Sequence, residues 1–184
     1  GIENGSFTKL LNEEDAVMNF ARDLDFVDEN RVNGFGHSLG GLSKIIWASN
    51  NSWLNTLSLL SPAYDYEKIW TYSKDTKRVL SLWKEKGCRT CQNVDGRKFS
   101  LPYENYIEDP LKYDHVSAAN SLKMPTLVVY GDSDKVLRDH KSHFKKFFKN
   151  ISGVPRKNKK LEVIKGGEHV LDQVEHEERL FNLV

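Results

Sequence analysis

The stretch PTLVVYGDSD, residues 125–134, holds four consecutive apolar residues, Leu127, Val128, Val129 and Tyr130. A strand with one wet face alternates apolar and polar side chains. An unbroken run closed by Gly131-Asp132 instead fits a strand buried on both faces of a parallel sheet. Parallel neighbours are joined by crossovers, usually helices, so helical and extended segments should alternate along the chain. Residues 10–24 read as an amphipathic helix, with Leu10, Leu11, Val17, Phe20, Ala21 and Leu24 at spacings of three and four. Asn12 is its expected cap, with Glu13, Glu14 and Asp15 in the first turn, where the helix dipole favours acids. Strands are expected at 31–35, 54–60 and 160–167. Helices are expected at 39–49, at 137–150 with Phe144, Phe147, Phe148 and Ile151 on one side, and at 170–184 through Val170, Leu171, Val174, Phe181 and Val184. This order predicts an α/β fold, a mostly parallel sheet with helices on both faces.

The alternation stops between residues 63 and 121. That segment holds nine of the chain's 20 aromatic residues: Tyr64, Tyr66, Trp70, Tyr72, Trp83, Phe99, Tyr103, Tyr106 and Tyr113. It reads as a cap or lid insertion, with a helix near 66–84 and a hairpin near 88–101. Residues 1–62 and 122–184 then form the two parts of the core. A chain of 184 residues is long enough for such a core. Lys+Arg is 27 against Asp+Glu 26, a net charge of +1, which gives no global attraction to nucleic acid or an anionic membrane. No apolar run approaches the roughly 18 residues of a membrane span. No secretory signal opens the chain, which slightly favours the cytoplasm. Ten Lys or Arg and one acid, Asp139, lie between Lys135 and Lys160. They read as a solvated helix face and loop rather than a nucleic-acid footprint. Cys88 and Cys91 form a lone C-x-x-C beside a turn at Asn93–Gly96. A structural zinc site takes about four ligands, and no second pair exists, so no metal or cofactor is implied.

The chemistry concentrates in three short stretches. GFGHSLGG, residues 34–41, contains G-x-S-x-G around Ser38, between an expected strand and an expected helix. A serine hydroxyl is a poor nucleophile unless a base takes its proton and an acid orients that base. A sharp strand-to-helix turn lifts the serine off the sheet edge and crowds its neighbours, so small residues are expected at Gly36 and Gly40. GDSDKV at 131–136 and GGEHVL at 166–171 each follow an expected strand. The order Ser, Asp, His is that of a nucleophile-elbow enzyme. All three would meet at one edge of a parallel sheet, where such sheets bind ligands.

These motifs resemble the α/β-hydrolase superfamily over essentially the whole chain. The segment YDHVSAANSLKMPTLVVYGDSDKV is similar to its serine aminopeptidase-like, esterase and lysophospholipase branch. The resemblance implies Ser38 as nucleophile, Asp134 as acid, His169 as base and the Leu39 N–H as an oxyanion donor. Asp132 is the nearest alternative acid, and Asp65 a more distant one. His37 is expected to be structural, and His115, His140, His143 and His176 to lie at the surface. The implied enzyme is a carboxylesterase or lipase-like hydrolase, acting on a small acyl substrate with an apolar or aryl group. A peptidase, an acyltransferase and a non-catalytic ligand-binding protein of the same fold are the alternatives. The resemblance also implies that the family's strands preceding the nucleophile strand, and the loop carrying a second oxyanion donor, lie outside this chain. GIENGSF at 1–7 looks like the tail of the loop after strand four. The expectation is then weak activity or stability for residues 1–184 alone, with an unpaired edge beside the strand at 31–35.

Overall fold

The computed structural model describes residues 5–92, 95–137 and 141–184. In chain order the elements begin with α1 (Phe7–Arg22), β1 (Asn33–His37), α2 (Ser38–Asn50) and β2 (Thr56–Leu60). Next come α3 (Tyr66–Thr71), α4 (Lys74–Lys86), β3 (Cys88–Gln92) and β4 (Lys98–Pro102). The chain closes with α5 (His115–Ser121), β5 (Thr126–Gly131), α6 (Lys141–Asn150), β6 (Lys159–Ile164) and α7 (Val174–Phe181). Two compact units result. One is Leu24–Asp65 with His115–Val184; the other is Tyr66–Asp114 with the chain up to Asp23. Residues 63–65 and α5 therefore fall with the parallel sheet, and α1 falls with the segment that follows Tyr66.

The first unit is built on a four-stranded parallel sheet in the order β1-β2-β5-β6. The register pairs His37 with Leu60, Leu60 with Val129, and Gly131 with Ile164. All four strands thus end on one edge. β2 and β5 are central and almost wholly buried, as the unbroken apolar run of β5 requires, and the polar Ser58 of β2 is buried with them; β1 alternates, and in β6 only Ile164 is buried. Leu60, Val129, Ile164 and Leu171 form a dry cluster covered by Leu127, Leu180 and Leu183. Phe144, Phe147 and Ile151 are buried as their spacing on α6 predicts. The start of the helix expected at 137–150 falls partly outside the described residues. The last helix is shorter than expected and turned differently. Val170, Val174, Phe181 and Val184 are exposed, while His176 is buried and Leu180 packs on the core.

In the other unit, the single helix expected near 66–84 is two helices. Ser73 interrupts it by capping α4: its Oγ accepts the Thr76 N–H, and the Thr76 hydroxyl accepts the Ser73 N–H, each at 3.1 Å. β3 and β4 pair antiparallel, with Cys88 opposite Pro102 and Cys91 opposite Phe99. Three residues apart on one strand, the two thiols point to opposite faces, and both are free. Trp83 is buried against Trp70 and Tyr103 and donates its indole N–H to the Leu101 carbonyl at 2.8 Å. Tyr66 donates its hydroxyl to the Tyr106 carbonyl, and burial pushes its pKa up to about 12. No helix among the described residues is long and apolar enough to cross a membrane.

α1 begins earlier than Asn12. Ser6 is the N-cap, accepting the Lys9 N–H at 3.1 Å, and no acid occupies the first turn. A second cap comes from far along the chain. Asp109, only 4% exposed, accepts the Thr8 N–H at 2.6 Å, the Thr8 hydroxyl at 2.8 Å and the Lys112 ammonium at 3.0 Å. This cap fixes which side of the helix is buried. Phe7 and Leu11 face inward, with Phe7 edge-on to Tyr113, while Leu10, Val17 and Phe20 are exposed. Burial pushes the Asp109 pKa up, but the hydrogen bonds from Thr8 and Lys112 outweigh it, and the net shift is downward from 3.8. A depressed carboxylate contributes stability above its unfolded pKa and loses it as pH falls through the folded value. Asp109→Ala should lower stability by about 2–3 kcal/mol at pH 7 and by less below pH 3.8, read from denaturant midpoints across pH. An unchanged midpoint at pH 7 would refute the capping role.

Candidate active site

β1 runs into α2 with no connecting residue, so the chain must turn within Ser38. Its φ of 53° is left-handed, a strained value for a residue with a side chain. The packing that holds this turn is visible in the glycines. A Cβ on Gly36 would lie 2.7 Å from the Gly40 carbonyl oxygen and 2.8 Å from the Gly41 Cα. A Cβ on Gly41 would lie 2.9 Å from the Pro62 Cβ, whereas one on Gly40 would meet nothing within 4 Å. The expectation that crowding demands a glycine at position 40 is therefore corrected. The demand falls on Gly41, because that face of α2 rests on Pro62. The Ser38 carbonyl accepts the Ala63 N–H at 2.9 Å, tying the turn to the end of β2.

The strands bring Ser38, His169 and Asp134 to one edge, after β1, β6 and β5. Ser38 Oγ lies 2.9 Å from His169 Nε2, and His169 Nδ1 lies 2.7 Å from Asp134 Oδ2. A carboxylate only accepts, so Nδ1 carries the proton and Nε2 is free to accept from the serine. Asp134 is 2% exposed, and its Oδ1 accepts the N–H groups of Val136 and Leu137, each at 2.8 Å. Burial pushes its pKa up. Hydrogen bonds from His169 and from those two N–H groups outweigh that and hold it below 3.8. The carboxylate thus stays charged beside the imidazole.

Asp132, the alternative acid, makes no hydrogen bond to His169. Its Oδ1 accepts the Gly166 N–H at 2.7 Å. Asp65 pairs with Lys146 at 3.2 Å instead. His37 lies behind His169: its Nε2–H donates to the His169 carbonyl at 2.8 Å, and the two rings are 4.8 Å apart. Burial lowers the His37 pKa, against a smaller upward effect of that hydrogen bond, which keeps the ring neutral beside His169. Leu39 lies in the first turn of α2, where backbone N–H groups have no acceptor within the helix. His115, His143 and His176 are not surface residues. Each is under 10% exposed: His143 packs between the rings of Tyr64 and Phe144, and His176 lies under Gly166. His140 lies outside the described residues. Among the described residues no group of three or more His, Cys, Asp or Glu could hold a metal ion.

A parallel sheet with a serine turn after its first described strand, an aspartate after its third and a histidine after its fourth has the architecture of the α/β-hydrolase fold. Solved structures agree. Est1E from Butyrivibrio proteoclasticus matches with a TM-score of 0.70 at 26% identity, over 97% of this chain and 70% of that one. A monoacylglycerol lipase from Paleococcus ferrophilus matches at 0.67 and 15%, over 97% and 73%. The α/β hydrolase GrgF from a Penicillium species matches at 0.65 and 13%, over 96% and 71%. No protein-family model and no curated protein matches the chain. The chain belongs to the α/β-hydrolase superfamily.

The glycines separate by substitution. Gly36→Ala and Gly41→Ala should each cost about 1–3 kcal/mol through overpacking at the elbow. Gly40→Ala should be neutral or stabilise by about 0.5 kcal/mol, since alanine is the better helix former. Thermal melts of the three variants decide this, and a Gly40→Ala as damaging as Gly41→Ala would contradict it.

Proposed function

We propose that the protein is a serine hydrolase that cleaves a carboxylic ester through an acyl-enzyme on Ser38. The observation that carries this reading is the hydrogen-bonded series Ser38, His169, Asp134 at 2.9 and 2.7 Å, set on a strained elbow. Such strain clusters at functional sites because surrounding structure must hold it. His169 Nε2 takes the Ser38 proton as Oγ attacks the substrate carbonyl carbon. The oxyanion that forms receives the Leu39 N–H at the start of α2. His169, now an imidazolium stabilised by Asp134, gives the proton to the departing alkoxide. Water then attacks the acyl-enzyme with His169 again as base, and the acid and free Ser38 are released.

Of the segment 63–121, the part Tyr66–Asp114 serves in this reading as a cap. Its aromatic composition favours an apolar acyl or aryl group on the substrate. The neighbours that are described as esterases or lipases support ester over amide. The neighbour described as a puromycin-hydrolyzing peptidase is the reason to test amides beside esters.

A fluorophosphonate should label the protein, and Ser38→Ala should abolish the label. Asp134→Asn, which leaves His169 in the wrong tautomer, should lower aryl-ester turnover about 10⁴-fold with the fold intact. An unlabelled wild-type protein would remove the enzyme reading and favour a ligand-binding member of the fold.

A further inference from the structure

The acid and the base sit on two different loops, 131–137 after β5 and 165–171 after β6. The β5–β6 ladder ends where Gly131 meets Ile164. Beyond that point something else must keep the loops in register, since His169 has to meet both Asp134 and Ser38. Backbone contacts provide part of this. The Asp132 N–H donates to the Ile164 carbonyl at 3.1 Å, and the Ser133 N–H to the Gly167 carbonyl at 3.0 Å. A Cβ on Gly131 would overlap the Gly167 carbonyl, so the two backbones touch there. Besides the Asp134–His169 pair itself, two side-chain links cross between the loops. Lys135 and Glu168 form an ion pair at 2.7 Å, but their side chains are 72% and 42% exposed, and solvated pairs contribute little. The other is Asp132, whose Oδ1 accepts the Gly166 N–H at 2.7 Å. Gly166 has a left-handed φ of 76° and stands three residues before His169. A bond from a backbone N–H to a carboxylate is short and stronger than a neutral one.

We propose that Asp132 is a positioning residue for the base: its carboxylate anchors the left-handed turn at Gly166 and so sets where the His169 imidazole lies between Asp134 and Ser38. The motif G-D-x-D then has two separate duties, Asp134 orienting the ring and Asp132 orienting the loop that carries the ring. Asp132 is partly exposed, so its loss should register in geometry rather than in stability. The proposal rests on the serine-hydrolase reading of the same site.

The test uses the full-length protein and two readouts. In the first, Asp132→Ala should slow fluorophosphonate inactivation at saturating probe by about ten- to a hundredfold, the cost of a misplacement near 1 Å, with probe affinity and thermal midpoint unchanged. Asp132→Asn, whose amide oxygen still accepts from Gly166, should stay within about threefold of wild type. In the second, the downfield proton resonance of the His169 Nδ1–H should remain sharp in wild type and Asp132→Asn and broaden in Asp132→Ala. Should Asp132→Ala fail to fold, Asp132→Leu gives the same comparison without an acceptor. An acceptor-free variant that reacts at the wild-type rate overturns the proposal. So does an Asp132→Asn as slow as Asp132→Ala, which would mean that charge acts and not the anchor. A wild-type protein that resists the probe while its His169 resonance still responds to Asp132 removes the hydrolase reading and leaves the anchoring role standing.

Discussion

The close approach of Gly36, Gly41 and Pro62 is the constraint on which the site depends. It lets β1 become α2 without a loop and forces the reversal into the single residue Ser38, at a φ of 53°. Left-handed backbone at a serine costs of order 1 kcal/mol or more, so the turn exists only because its surroundings over-determine it. Strand pairing with β2 holds one side, and the Ala63 N–H on the Ser38 carbonyl holds the other. The hydroxyl then projects from the sheet edge at the start of a helix, where the first N–H groups have no internal acceptor and the dipole favours a developing negative charge.

The electrostatics of the edge follow from burial balanced against specific donors. Asp134 is buried deeply enough to be pushed toward its neutral form, yet His169 and two backbone N–H groups hold it charged. His37 is half-buried with a neutral carbonyl as its hydrogen-bond partner, and it stays neutral. A cationic His37 at 4.8 Å from the His169 ring would oppose any positive charge on that ring. Burial acts the same way at both residues, against the charged form, and the partners decide which residue carries charge.

Legibility in the sequence followed how local each determinant is. β5 announces itself in Leu127–Tyr130 because double burial removes polar residues. The Ser, Asp and His motifs can be located because each ends such a run, and the structure places the three side chains within hydrogen-bond reach. Determinants that act across the chain were harder to read. Asn12 looks like a cap to α1, but Ser6 and the distant Asp109 perform that task, and the buried stripe shifts to Phe7 and Leu11. G-x-S-x-G points to Gly40, yet Gly41 faces Pro62, which lies 21 residues further on. The apolar residues of 170–184 suggest an inward face at Val174 and Phe181. The core instead takes Leu180, Leu183 and the polar His176. Histidines were the least legible, because an imidazole is polar enough to read as surface and flat enough to pack as core.

The basic run from Lys135 to Lys160 shows how composition misleads when pairing is ignored. In sequence it is ten cations against one acid. In the fold, acids from elsewhere answer three of them: Lys135 meets Glu168, Lys146 meets Asp65 and Lys160 meets Glu162. Lys159 turns inward and donates to the Phe148 and Ile151 carbonyls at the end of α6, filling the acceptors a helix leaves open there. It also lies 5.0 Å from the Phe148 ring, and Arg156 lies 5.2 Å from the same ring. Burial, with help from Arg156, lowers the Lys159 pKa, as a cation used inside the structure requires. Half of the run is therefore committed to internal partners. The field it projects is correspondingly smaller than its sequence suggests, and its arginine and lysine pair around Phe148 serves to close α6 onto β6.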